Sequence, residues 1–148
     1  MESNKGMTLI ETILATGLIA VLIMIGYMFY FTGVKAFDRN ADRAEMQHNV
    51  RYSISYISEA LLGAGNLEVI VEPNKLIIDQ TAFKLSEGAL KINRNYFSSG
   101  SRFTVLAENI ATFEVTRSGK MISIMIISKP KNSDEPFMLE TQVLLRRP

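Results

Sequence analysis

The chain has 148 residues, 47% of them hydrophobic and 21% charged, with 16 Lys and Arg against 15 Asp and Glu for a formal net charge of +1. That near-balance excludes attraction to nucleic acid or an anionic membrane by bulk charge, and the length fits one ordinary domain. The absence of cysteine excludes a disulfide framework, a thiolate nucleophile and any Cys-ligated zinc.

Charge is unevenly spread along the chain. Only Glu2, Lys5 and Glu11 are charged among the first 34 residues, and charged residues make up about a quarter of the remainder, the average for soluble protein. From Thr12 to Val34 the sequence TILATGLIAVLIMIGYMFYFTGV runs 23 residues without a formal charge. As a helix it would span roughly 34 Å, enough to cross a bilayer. It is too long for the apolar stretch of a cleaved secretory signal, and no A-x-A site follows it. Glu11 does not fit a plain anchor, because a carboxylate near the bilayer core costs roughly 2.5–3.5 kcal/mol on insertion scales. Either it snorkels at the interface or it has a partner.

Just upstream stands Lys5-Gly6-Met7-Thr8-Leu9-Ile10-Glu11. With the apolar run, this segment resembles the prepilin cleavage and methylation signature of type IV pilins and type II secretion pseudopilins. The resemblance implies that residues 1–6 are a leader removed by prepilin peptidase between Gly6 and Met7, and that Met7 is then N-methylated. It also implies that Glu11, fifth in the mature chain, serves assembly and not catalysis. The residues suit those roles. Gly6 gives a protease a side-chain-free approach to the bond, and Met7 and Glu11, at i and i+4, fall on one helix face. A freed α-amino group at Met7 is a cation at the depth of the Glu11 carboxylate of a neighbouring subunit, and burial is tolerable only when both charges are present. Two positions depart from the family pattern: Met7 stands where Phe is commonest, and no proline interrupts the apolar run. Local unwinding would have to use Gly17, Gly26 or Gly33, each costing about 1 kcal/mol relative to Ala.

The helical pattern continues past Val34, with Phe37, Ala41 and Ala44 and then Val50, Ile54, Ile57 and Leu61 at helical spacing. One helix from about Thr8 to about Leu62, roughly 80 Å long, is expected, lipid-facing in its first half and amphipathic in its second. Gly63-Ala64-Gly65-Asn66 supplies its stop. Strands are expected at Leu67–Val71, Lys75–Asp79, Ala82–Leu85, Ala89–Asn93, Phe103–Leu106, Ala111–Arg117, Met121–Ser128 and Phe137–Arg146. Turns fall at Pro73-Asn74, Glu87-Gly88, Ser98–Ser101, Ser118-Gly119 and Lys131–Pro136. The strongest hairpin joins ATFEVTR to MISIMIIS, and one face of its sheet should pack on the helix. The fold class is therefore α+β, a long N-terminal helix on an antiparallel sheet, which is also the pilin-like roll that the resemblance implies. The segments are 1–6 leader, 7–34 transmembrane and assembly helix, 35–64 amphipathic helix and 65–148 β-rich body.

Within the family, AEMQHNVRYSISYISEALLGAGN resembles W-type minor pilins and J-type minor pseudopilins, through Gln47, Asn49, Arg51, Tyr52, Gly65 and Asn66, and Leu144-Leu145-Arg146-Arg147 resembles their last strand. The implied function is a minor pilin or pseudopilin, a structural subunit of a type IV pilus-like or type II secretion filament that serves protein transport or competence. The implied partners are other subunits, prepilin peptidase, an inner-membrane assembly platform and membrane lipid, with no nucleic acid. The implied location is the cytoplasmic membrane, single-pass with the body outside, and then the filament. The alternative is a single-pass membrane-anchored α+β protein that binds a ligand or partner and never polymerises. Charge flanking the span favours that alternative, since Lys35, Arg39 and Arg43 outnumber Lys5.

No enzyme, cofactor or metal is expected. His48 is the only histidine and is read as solvent-facing. Asp38, Asn40 and Asp42 imitate the start of a calcium loop, but Arg43 replaces the required Gly and Asn49 the bidentate Glu. Asp134 and Glu135, beside Lys129 and Lys131, are read as a solvated turn. Tyr52, Tyr56 and Phe97 are expected to pack where helix meets sheet.

Overall fold

The computed structural model of the chain describes residues 8–64, 68–131 and 135–145. Among these are helix α1 (Leu9–Gly63) and strands β1 (Val69–Glu72), β2 (Lys75–Ile78), β3 (Thr81–Ser86), β4 (Ala89–Asn93), β5 (Thr104–Ala107), β6 (Ile110–Ser118), β7 (Met121–Ser128) and β8 (Met138–Leu144). The chain divides into two compact units, up to Arg39 and from Asn40 onward.

In the first unit the side chains from Leu9 to Phe37 are almost all exposed, including Leu18, Leu22, Met28 and Phe29. The most apolar 18-residue window of α1 has a mean hydropathy of 2.3 and none of it is buried. The helix is thus long and apolar enough to span a membrane. Its threonine hydroxyls are satisfied without water: Thr16 donates to the Thr12 carbonyl at 2.9 Å and Thr32 to the Met28 carbonyl at 2.8 Å. Such back-bonding lets a hydroxyl face an apolar medium at little cost.

In the second unit the helix turns one stripe inward. Met46, Val50, Ile54, Ile57 and Leu61 are buried at helical spacing, and Ser53 within the stripe donates to the Asn49 carbonyl at 2.7 Å. Ala64 N–H closes the helix end on the Leu61 carbonyl. All eight strands pair antiparallel, but they divide between two sheets where a single sheet is the simplest expectation: β1-β2-β3-β4-β5 and β6-β7-β8. The inner faces of both sheets and the helix stripe share one core, in which Leu76, Phe83, Leu90, Ile110, Phe113, Ile122, Ile124 and Ile126 are fully buried.

Asn74, Asp79, Gly88, Asn109 and Gly119 tolerate the left-handed backbone they adopt, and Glu87 adopts it beside Gly88 without that tolerance. Glu87-Gly88 has φ of 58° and 72°, the pattern of a type I′ hairpin turn, and Gly119 at φ 62° opens the two-residue link from β6 to β7. Asn93 and Ser128, two buried polar residues of the sheets, are paired, whereas the buried Asp42 Oδ2 and Ser58 Oγ have no partner among the described residues. Asn93 Oδ1 accepts from the Asn95 N–H at 3.0 Å, and Ser128 Oγ accepts from the Phe137 N–H at 2.8 Å. Arg117 ties the sheets together by donating from Nη1 to the Val69 carbonyl at 2.8 Å. Strand ends differ from the periodic reading by a residue or two: β6 starts at Ile110, and β8 runs from Met138 to Leu144. Leu67, Arg146 and Arg147 lie outside the described residues.

Candidate functional site

The head of α1 is a reciprocal cap. Thr8 precedes the first helical residue, and its carbonyl accepts the first intrahelical bond from Thr12 N–H at 3.2 Å. Glu11 Oε2 accepts from the Thr8 N–H at 2.8 Å and from the Thr8 hydroxyl at 2.9 Å, while Glu11 N–H points back at Thr8 Oγ1 at 3.4 Å. This is the capping box of a threonine at the N-cap and a glutamate three residues on. The carboxylate also lies at the positive end of the helix dipole. Thr8, given no role on sequence grounds, is the second member of this cap, and Thr-x-x-Glu before an apolar run is a legible helix-start signal in its own right.

The cap engages only half of the carboxylate. Glu11 is exposed, and its second oxygen, Oε1, takes no hydrogen bond among the described residues. No cation within the described residues forms an ion pair with it. Gly6 and Met7, the two residues of the expected cut and methylation, lie outside the described residues. So do residues 1–5 of the expected leader.

The helix stretch that carries Gln47, Asn49, Arg51 and Tyr52 is held at several points. Asn49 Nδ2 donates to the Glu108 carbonyl at 3.2 Å, and Asn109 Nδ2 returns a bond to Glu45 Oε1 at 3.4 Å, pinning the helix to the β5–β6 turn. Asn109 has φ 58°, which Asn tolerates, and its carbonyl accepts Lys129 N–H at 2.7 Å. Gln47, Arg51 and Tyr52 are exposed, and Gly65 and Asn66 lie outside the described residues.

The aromatic residues expected to meet the sheet divide. Tyr56 packs on the core with its ring 6.1 Å from that of Phe83, edge to face. Tyr52 is 48% exposed and Phe97 68% exposed, so neither fills the junction. Tyr52 stacks instead on His48 at 6.2 Å, and Phe97 meets Tyr96 edge to face at 5.2 Å. Both follow a geometry that periodicity leaves open: Tyr52 is two residues off the buried stripe, and Phe97 is in the loop between β4 and β5. His48 faces solvent, as its polar setting implies. Asp38, Asn40 and Asp42 are all helical, and a helix does not wrap its side chains around a cation as a loop does. Glu135 is described and Asp134 is not.

Open grooves lie among the described residues of the β-rich unit. One of about 200 Å³ is lined by Arg43, Met46, Gln47, Glu135, Pro136 and Phe137, and one of about 400 Å³ runs past Arg94, Asn95, Ser101 and Arg102. Compared with protein-family models, curated proteins and solved structures, the chain matches none.

Proposed function

We propose that the chain is a minor pilin or pseudopilin: a membrane precursor trimmed after Gly6, methylated on Met7 and drawn into a filament through its apolar helix. The observation that carries this reading is the half-engaged Glu11 carboxylate at the head of an exposed, uncharged 23-residue run. An anion at the edge of the bilayer is costly without a counter-charge. Thr8 supplies neutral hydrogen bonds and leaves Oε1 to accept from a cation. In the trimmed protein the new α-amino group of a neighbouring subunit is that cation, because Met7 stands only four residues before Glu11 in the sequence. Trimming keeps the Thr8 N–H as an ordinary amide, so the cap survives the cut. Prepilin peptidase, an assembly platform and fellow subunits are the partners this work requires, with the body outside the cytoplasmic membrane.

The deciding experiment is N-terminal analysis after co-expression with a prepilin peptidase. The expected product starts at methylated Met7. A chain that keeps Met1 supports the second reading, a single-pass anchored binding protein that does not polymerise, which the basic flank of Lys35, Arg39 and Arg43 favours. Incorporation of Glu11→Ala into filaments at the normal level would remove the charge pair from the explanation.

A further inference from the structure

Between Glu87 and Glu108 the chain carries Lys91, Arg94 and Arg102 and no acidic residue. Lys91 is paired with Glu87. Arg94 and Arg102 are exposed, and neither takes an ion pair or a hydrogen bond among the described residues. Both line the open groove of about 400 Å³ that the β4–β5 loop forms with the ends of its strands, and no carboxylate lines it with them. Ile92 pairs with Thr104, so the two arginines stand two residues beyond that pair, one on each side of the loop. Like charges placed opposite each other are unfavourable unless an opposite charge relieves them.

The backbone that carries both arginines is pinned. Arg94 lies inside the turn closed by the buried Asn93, whose Oδ1 accepts from the Asn95 N–H at 3.0 Å. Tyr96 N–H donates to the Gln80 carbonyl at 2.8 Å, and Ser101, the neighbour of Arg102, donates its N–H to the Ser98 carbonyl at 3.2 Å. A bound anion therefore has to order two side chains and not the loop beneath them, which keeps the entropic cost of binding low.

Two hydroxyls on the same wall set the second half of the recognition. Ser101 Oγ donates to the Tyr96 carbonyl at 3.2 Å and Thr104 Oγ1 to the Ile92 carbonyl at 3.3 Å. Each hydroxyl has one proton and has spent it, so each offers the groove only lone pairs. The wall thus combines charged N–H donors with oxygens that can only accept. A fully ionised oxyanion satisfies the guanidiniums and leaves the acceptors idle, whereas a hydroxylated carbon skeleton supplies the missing donors. We propose that the groove binds a polyol phosphate, with the phosphate held by Arg94 and Arg102 and the ligand hydroxyls donating to Ser101 and Thr104. Its volume lies in the range of small-molecule sites. The site requires neither cleavage at Gly6 nor a filament.

The test titrates the full chain, in neutral detergent micelles, with glycerol 3-phosphate, inorganic phosphate and glycerol, and follows the arginine Nε–H signals by NMR. The Arg94 and Arg102 signals are expected to move on one shared curve, with glycerol 3-phosphate bound about tenfold more tightly than inorganic phosphate and glycerol not bound. Arg51, exposed on α1 outside the groove, should stay still. Arg94→Gln should weaken the binding seen at Arg102 about tenfold, and Arg102→Gln should do the same at Arg94, with the remaining backbone amide signals unchanged. Thr104→Val should narrow the preference for glycerol 3-phosphate to about twofold and leave the affinity for inorganic phosphate in place. Separate curves for the two arginines, or an Arg51 shift as large as theirs, would overturn the shared site and reduce the effect to counter-ions at a charged surface. Equal affinity for the two phosphates would overturn the polyol assignment.

Discussion

Ile57 is the residue through which the helix most directly tests its attachment to the sheets. It is fully buried in the shared core, in a stripe with Val50, Ile54 and Leu61. Ile57→Ala removes three carbons, worth about 2.4 kcal/mol at roughly 0.8 kcal/mol for each buried methylene. A cavity term adds to that, because the ladders of two sheets limit how far the site can collapse, and the total falls at about 3–4 kcal/mol. Leu62, five residues on in the same helix, is 63% exposed. Leu62→Ala removes the same number of carbons from a surface position with little change in helix propensity, and should cost less than about 0.5 kcal/mol. The assay is urea unfolding of the full chain in detergent, followed by near-ultraviolet dichroism of the tyrosines in the β-rich unit, with the midpoint read at constant slope. A loss below about 1 kcal/mol for Ile57→Ala, or equal losses for the two variants, would refute the reasoning that the stripe and the two sheets form one core.

Thr8→Ala breaks the cap from one side and should cost about 1 kcal/mol of local helix stability, seen as faster amide exchange at Ile10 and Glu11 with no change beyond Thr16. Gly119→Ala keeps space for its Cβ but forces a left-handed backbone on an L-residue, so it should lower stability by about 1–2 kcal/mol, read from the same urea midpoint. The ammonium of Lys91, hydrogen-bonded to Glu87, holds that carboxyl below the usual carboxylate range. Because the folded value is the lower one, the pair contributes above the ordinary carboxylate range and its contribution is lost as pH falls through the folded value. Lys91→Met should return the Glu87 titration, followed by carbon NMR, to the ordinary range. Lys75 moves the other way, raised by its hydrogen bond with Tyr96 and then by Glu72. Its contribution is complete below the ordinary lysine range and is lost as pH rises through the higher folded value, and Tyr96→Phe should shift the lysine titration downward.

Local rules made much of the chain legible in advance. The uncharged run and the Val50, Ile54, Ile57, Leu61 series set a helix that ends at Gly63, one residue from its periodic boundary. Turn residues with a physical reason for left-handed backbone, such as Asn74, Gly88 and Gly119, separate strands whose order follows the sequence. The Thr8–Glu11 cap is equally local, being three residues in span.

What needed the tertiary structure was every decision between distant residues. Period-2 patterning gives each strand two faces but does not say which sheet it joins, and the break between β5 and β6 depends on how both sheets close over the helix stripe. The same closure buries Tyr56 against Phe83 and leaves Tyr52 in solvent, one helical turn away. It also aligns Lys75, Lys84 and Lys91 in one row and Glu114 and Glu140 in another, since cross-strand register, unlike helix or turn geometry, is set by side chains far apart in the chain.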